Sequence, residues 1–158
     1  MKLIINGNEF VANEAKTVYD AAKEAELISR AVIAAKVNGS VCALSREINE
    51  GDEIELLTFA EAEGKQVFRH TAAHILAQAV KRLYPETKLT IGPAVENGFY
   101  YDFDSEIPFT PDVLKALEGE MKKIVKENLK IERFELPREE AIAFMTEKNE
   151  PYKVQLIE

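Results

Sequence analysis

Lys2-Leu3-Ile4-Ile5-Asn6-Gly7-Asn8-Glu9-Phe10-Val11 reads as a β-hairpin. Lys2–Ile5 is a short β run. Asn6-Gly7 fits a two-residue turn whose central positions both need positive φ. Glu9-Phe10-Val11 returns as the second strand. Downstream, Thr17 is placed to cap a helix, with Asp20 three residues on as a variant capping box. Val18, Ala21, Ala22 and Ala25 lie three and four apart, so this helix offers a sheet a narrow face of small residues. Ala31–Val37 is the next strand candidate, Asn38-Gly39 a second hairpin turn, and Val41-Cys42-Ala43 its return. Asn49-Glu50-Gly51-Asp52 is a further turn. Glu53–Phe59 alternates, with Ile54 and Leu56 on one side, and reads as the closing strand. Four or five strands wrapped on one helix within about 60 residues is the β-grasp plan, small but able to fold alone.

Beyond this unit, Glu61-Ala62-Glu63-Gly64 reads as a short boundary with limited freedom. The expected division is 1–61 and 62–158. Residues 65–84 form the longest periodic segment, with Phe68, Ala72, Ile75, Leu76, Ala79 and Leu83 in one apolar stripe. Tyr84-Pro85 ends it. Lys88–Ile91 and Phe99–Phe103 read as strands, separated by Gly92-Pro93 and Asn97-Gly98. Gly92 and Gly98 are expected to allow turns. Thr110-Pro111 opens another helix with Pro at its first position. Its apolar residues Leu114, Leu117, Met121, Ile124 and Val125 keep helical spacing. Lys130–Leu136 is a strand candidate, Pro137 starts a helix to about Lys148, and Pro151–Glu158 stays open between alternatives. The class is α+β.

The 158 residues are 46% hydrophobic and 30% charged, with a net charge of −8. That is the profile of a globular protein. Residues 1–61 hold six Lys or Arg against eleven Asp or Glu, and residues 62–158 hold fourteen against seventeen. Acidity in both parts argues against a general RNA binder, because grip on a phosphate backbone needs clustered cations. No apolar run approaches the roughly 20 residues of a membrane span, and the start is too short and too soon polar for a secretory signal. The single cysteine, Cys42, cannot form an internal disulfide, so a cytoplasmic location fits best.

His70 and His74 are the only histidines. At a spacing of i, i+4 on the long helix, they stand one turn apart on one face. That suits two ligands for one metal ion or two contacts to one substrate. It also suits two ordinary surface histidines. Without two further ligands the pair is at most half a metal site, and no metal is assigned. On a helical wheel the pair lies opposite the apolar stripe, beside Ala73, Ala77 and Lys81, where small neighbours leave room for another group.

The run His70-Thr71-Ala72-Ala73-His74-Ile75-Leu76-Ala77-Gln78-Ala79-Val80 resembles the HxxxH helix of the editing domain shared by threonyl- and alanyl-tRNA synthetases. Ile91-Gly92-Pro93 followed by Gly98-Phe99-Tyr100-Tyr101-Asp102-Phe103 is similar to a segment of the threonyl enzymes. Residues 1–60 resemble the TGS domain, a β-grasp module that leads those enzymes and that alanyl-type editors lack. Glu150-Pro151-Tyr152-Lys153-Val154 also matches the threonyl pattern.

The resemblance implies hydrolysis of mischarged seryl-tRNA(Thr), with the tRNA 3′ end as partner. His70 and His74 would contact the terminal adenosine or the seryl ester and help position water. Tyr101 would hydrogen-bond through its hydroxyl, and Lys153 would lie near the ester or phosphate as a cation. From the residues alone, Tyr101 reads more readily as a core strand aromatic, and Lys153 equally as a solvated lysine. The family's editing domain continues with a Cys-x-x-x-His pair that this sequence does not contain. The family's aminoacylation core, with its zinc and ATP sites, is likewise not found. The expectation is therefore a cut segment with no cofactor of its own and little activity alone, prone to self-association through apolar surface left uncovered. Alternatives are a non-catalytic RNA- or ligand-binding TGS module and a free-standing deacylase acting in trans.

Overall fold

The computed structural model describes residues 1–158 and divides into two compact units, Met1–Arg69 and His70–Glu158. In the first unit, β1 (Lys2–Ile5), β2 (Asn8–Val11), α1 (Val18–Glu24), β3 (Ala34–Val37), β4 (Ser40–Cys42) and β5 (Glu53–Leu57) follow in chain order. The strands form one sheet in the order β2-β1-β5-β3-β4. β1 and β5 run parallel, with Ile5 opposite Ile54, and every other pair is antiparallel. This is the β-grasp arrangement.

Both expected hairpin turns form for the expected reason. Asn6 and Gly7 have φ of 50° and 79°, and Asn38 and Gly39 have 52° and 79°. Asparagine and glycine tolerate this left-handed region; most side chains do not. Thr17 caps α1 by accepting from the Asp20 amide, and the Asp20 carboxylate accepts from the Thr17 amide in return. α1 then turns Val18, Ala21 and Ala22 onto Leu3, Ile5, Val37 and Ile54. Those four strand residues are each 2% exposed or less. Asp52, buried at the turn before β5, accepts from the Asn38 side chain and the Asn49 amide at 2.8 Å each.

Two expectations for this region change. β3 begins at Ala34 rather than Ala31, and β5 ends at Leu57, so Phe59 lies in a turn and is exposed. Glu61–Gly64, read as a short boundary with limited freedom, is structured. α2 (Ala62–Leu83) begins there, and the Glu61 carboxylate accepts from both the amide and the hydroxyl of Thr58. Gly64 belongs to a close packing contact: a β-carbon there would lie 1.8 Å from the Thr58 carbonyl oxygen.

In the second unit, α2 continues through Leu83 and is followed by four two-residue strands: β6 (Lys88–Leu89), β7 (Ala94–Val95), β8 (Gly98–Phe99) and β9 (Phe103–Asp104). β6 pairs with β9 and β7 with β8, both antiparallel. Bonds between Thr90 and Asp102 and between Asp102 and Ile91 extend the first ladder beyond its named strands. Three helices complete the unit: α3 (Pro111–Glu127), α4 (Arg138–Glu147) and α5 (Pro151–Ile157). Thr110 caps α3, Pro111 takes its first turn, and left-handed Asn128 ends it. α2 and α3 pack through Ala79, Val80, Leu117 and Ile124. A bidentate Arg82–Glu127 pair (2.7 Å for both bonds) and an Arg82–Glu120 contact at 3.3 Å link the same two helices. No helix is long and apolar enough to cross a membrane.

Here too the pattern needs correction. Ala79 is buried, with Ile75 and Leu76 packed beside it, but Phe68 and Leu83 of the expected stripe are exposed. Ala73 and Ala77, read as open neighbours of the histidines, are 1% and 4% exposed. α2 is therefore buried over two adjoining faces. Lys130–Leu136 forms no strand, since no neighbour supplies a ladder, and Ile131 is 82% exposed. Pro151–Glu158, left open by its sequence, is largely helical.

Candidate functional site

The burial of α2 on two faces leaves a narrow exposed ridge carrying His70 and His74. Their Nε2 atoms are 2.9 Å apart, and the rings meet edge to face with centroids separated by 4.5 Å. Such a contact needs one nitrogen to donate and the other to accept, so at least one ring is neutral. Burial holds His74 below the ordinary histidine range. Charge on His70 and on Lys153 opposes its protonation further. A neutral imidazole near pH 7 can accept a proton from water.

The pair lines one groove, and a second cluster acts on it through charge. The groove, of about 660 Å³, is also lined by Thr71, Ile75 and Gln78 of α2 and by Ile124, Val125, Leu129 and Ile131. It joins an apolar wall to a polar rim, the usual make-up of a small-ligand cleft. The second cluster holds Lys153 and Tyr101. The Lys153 ammonium lies 5.9 Å from the centre of the Tyr101 ring, within cation–π range. It donates to the Thr90 carbonyl at 2.6 Å. Tyr101 stacks on Phe103 with centroids 4.6 Å apart and planes 12° from parallel. Burial, then the charge of Glu150, raise the Tyr101 phenol above its ordinary value, so it stays a hydroxyl donor.

Thus the histidines touch, Lys153 acts on His74 through its charge, and the same lysine faces Tyr101. Cys42 lies in the other unit. No group of three or more His, Cys, Asp or Glu side chains converges to hold a metal ion. The donors present are fewer than a tetrahedral zinc site requires.

Three features of the site were not apparent from sequence. Gly92 has no left-handed torsion; its missing side chain makes room for Tyr101, whose Cδ2 would lie 2.1 Å from a β-carbon. Glu150 is 6% exposed and accepts from the Leu89 amide at 3.0 Å. Lys81 pairs with the other Glu150 oxygen at 2.9 Å. Pro151 is compatible with a helix start, but nothing local signalled the burial of Glu150.

Residues 3–61, spanning the β-grasp sheet, match the model of the ThiS family. A threonine–tRNA ligase of Clostridium kluyveri is 57% identical over 153 residues, covering 96% of this chain and 24% of the relative. One from Clostridium tetani is 63% identical over 126 residues, 80% of this chain and 20% of the relative. One from Caldanaerobacter subterraneus subsp. tengcongensis is 55% identical over 143 residues, 90% and 22% respectively. The chain is homologous to threonine–tRNA ligases. The region shared with these ligases is N-terminal in them. The chain spans about a quarter of the length of the ligases it matches. Every residue of the candidate site lies after the ThiS match, in the second unit.

Proposed function

We propose that this chain carries the histidine half of an editing site that hydrolyses seryl-tRNA(Thr) within a threonine–tRNA ligase. The observation that carries the reading is the His70–His74 contact, which lines an apolar groove, with the Lys153 charge acting on His74.

The chemistry answers a discrimination problem. Threonine and serine differ by one methyl, and a pocket gains only about 1–3 kcal/mol from a group of that size, roughly 10–200-fold. Greater accuracy needs a second site that removes serine. In that site, water attacks the ester carbonyl at the tRNA 3′ end, the ester C–O bond breaks, and a proton passes to the departing ribose oxygen. A neutral imidazole of the pair accepts the proton of the attacking water. The Lys153 ammonium and the Tyr101 hydroxyl stabilise negative charge developing on the carbonyl oxygen. ATP use and zinc binding belong to the remainder of such a ligase, and the setting is cytoplasmic.

On this reading the chain alone hydrolyses seryl-tRNA little or not at all. A longer chain, including the Cys-x-x-x-His segment implied by the family resemblance, gains the activity and spares threonyl-tRNA. Turnover by the short chain that is lost in His70→Ala would instead identify a deacylase acting in trans. Equal hydrolysis of both esters by the longer chain would sink the specificity argument. No hydrolysis by either chain would leave a non-catalytic module.

A further inference from the structure

The first turn of α5 grips the edge of the β6 segment at two successive residues. Glu150 accepts from the Leu89 amide at 3.0 Å, and Lys153, three residues later, donates to the Thr90 carbonyl at 2.6 Å. The amide of Lys153 in turn donates to the Glu150 carbonyl at 3.1 Å, closing the turn between them. The second Glu150 oxygen holds Lys81 of α2 at 2.9 Å. Lys81 also donates to the carbonyls of Pro85 and Thr87 at 2.8 and 3.0 Å. All three ammonium hydrogens therefore have acceptors, as a largely desolvated lysine requires. Lys81 stands seven residues, about two turns, beyond His74 on the same helix. A carboxylate as buried as Glu150 is costly unless it is paired, so this arrangement is specified rather than incidental.

We infer that the Lys81–Glu150 ion pair is a positioning device: it fixes the start of α5 against α2 and β6 so that the Lys153 ammonium is delivered beside the histidine pair. Glu150 and Lys81 are positioning residues and touch no substrate. The inference rests on the reading that Lys153 and the histidines form one site.

Two features make it testable in the chain as it stands. His70 and His74 are the only histidines, so their ring signals can be followed by NMR as pH is varied. The two ways Glu150 could influence His74 also have opposite signs. Direct loss of a nearby anion lowers a histidine's titration midpoint, whereas withdrawal of the Lys153 cation raises it. Lys153→Met is expected to raise the His74 midpoint. Glu150→Ala is expected to raise it as well, by at least half as much, and the double variant to add nothing further. Glu150→Gln keeps the side chain's length and an acceptor for Leu89 but abolishes the ion pair with Lys81, and is expected to give a smaller rise than Glu150→Ala. If Glu150→Ala does not fold, Glu150→Asp, which retracts the carboxylate by one methylene, supplies the same comparison. A rise in Lys153→Met with no rise in folded Glu150→Ala or Glu150→Asp overturns the inference and leaves the site reading standing. No change in Lys153→Met overturns both.

Discussion

Gly92 lies under the Tyr101 ring, so close that a β-carbon on it would fall 2.1 Å from Cδ2 and 2.7 Å from Cγ. These are atoms near the root of the side chain. The ring cannot swing clear without leaving its stack on Phe103.

Gly92→Ala should therefore displace Tyr101 rather than be absorbed. Overpacking of this kind costs about 1–3 kcal/mol. A lowered urea midpoint, with loss of the ring-current shifts from the Tyr101–Phe103 stack, is the expected result. An alanine variant with unchanged stability and an intact stack would show that the backbone yields instead.

Thr17→Ala removes the hydroxyl that accepts from the Asp20 amide and donates to the Asp20 carboxylate at 2.8 Å. Loss of such a cap costs about 1 kcal/mol, within a range of roughly 0.5–2. The Thr17 hydroxyl is also the largest influence holding the Asp20 carboxyl below its ordinary value of 3.8. A carboxyl lowered on folding stabilises above its unfolded value, and that contribution fades as pH falls through the folded one. The wild-type advantage over Thr17→Ala should accordingly shrink in acid. Urea titrations at neutral pH and below pH 4 test both parts.

His74 is held below the ordinary histidine value of 6.5, first by burial and then by the charges of His70 and Lys153. Folding therefore favours its neutral form. The associated stability is present above 6.5 and is lost as pH falls through the lower folded value. NMR should find His74 titrating below 6.5. The denaturation midpoint should drop more between pH 7 and pH 5 in the parent than in His74→Gln. A His74 midpoint at or above 6.5 would contradict this account.

The legibility of the fold follows the range over which each feature is determined. The hairpins at Asn6-Gly7 and Asn38-Gly39, the Thr17 cap and the Thr110-Pro111 helix start depend on residues within a few positions of one another. Their φ angles and hydrogen bonds follow the local signal. Lys130–Leu136 reads as a strand candidate, but local composition does not provide a partner to pair with. Ala73 and Ala77 appeared as room because small side chains were taken for open space, when small side chains also permit close packing. Gly64 reads in sequence only as part of a short boundary, and its missing β-carbon is what lets α2 start against Thr58. The histidine spacing was plain in the sequence. The Glu150 pin was hidden, because it joins Lys81, Leu89 and Lys153 from three separate segments.

Val125 and Ile131 are 61% and 82% exposed, and both line the groove beside the histidines. Leu114 and Phe134 add further apolar surface elsewhere on the unit. Contiguous apolar surface of this kind promotes association. The chain should bind a hydrophobic dye and self-associate as concentration rises. Val125→Lys with Ile131→Lys should reduce both effects without lowering the urea midpoint. A strictly monomeric, dye-negative parent in light scattering would refute this.

The 2.9 Å contact between the histidine rings has a stoichiometric consequence. Because a single hydrogen occupies the line between the two Nε2 atoms, a first added proton must go to one of the outer nitrogens or break the contact. A second would set two cations face to face. Two such coupled rings do not act as independent bases, and their protonation belongs to the pair rather than to either ring. In strongly acidic solution both rings carry charge, and the contact should open into two separate donors, leaving no acceptor for the proton of water.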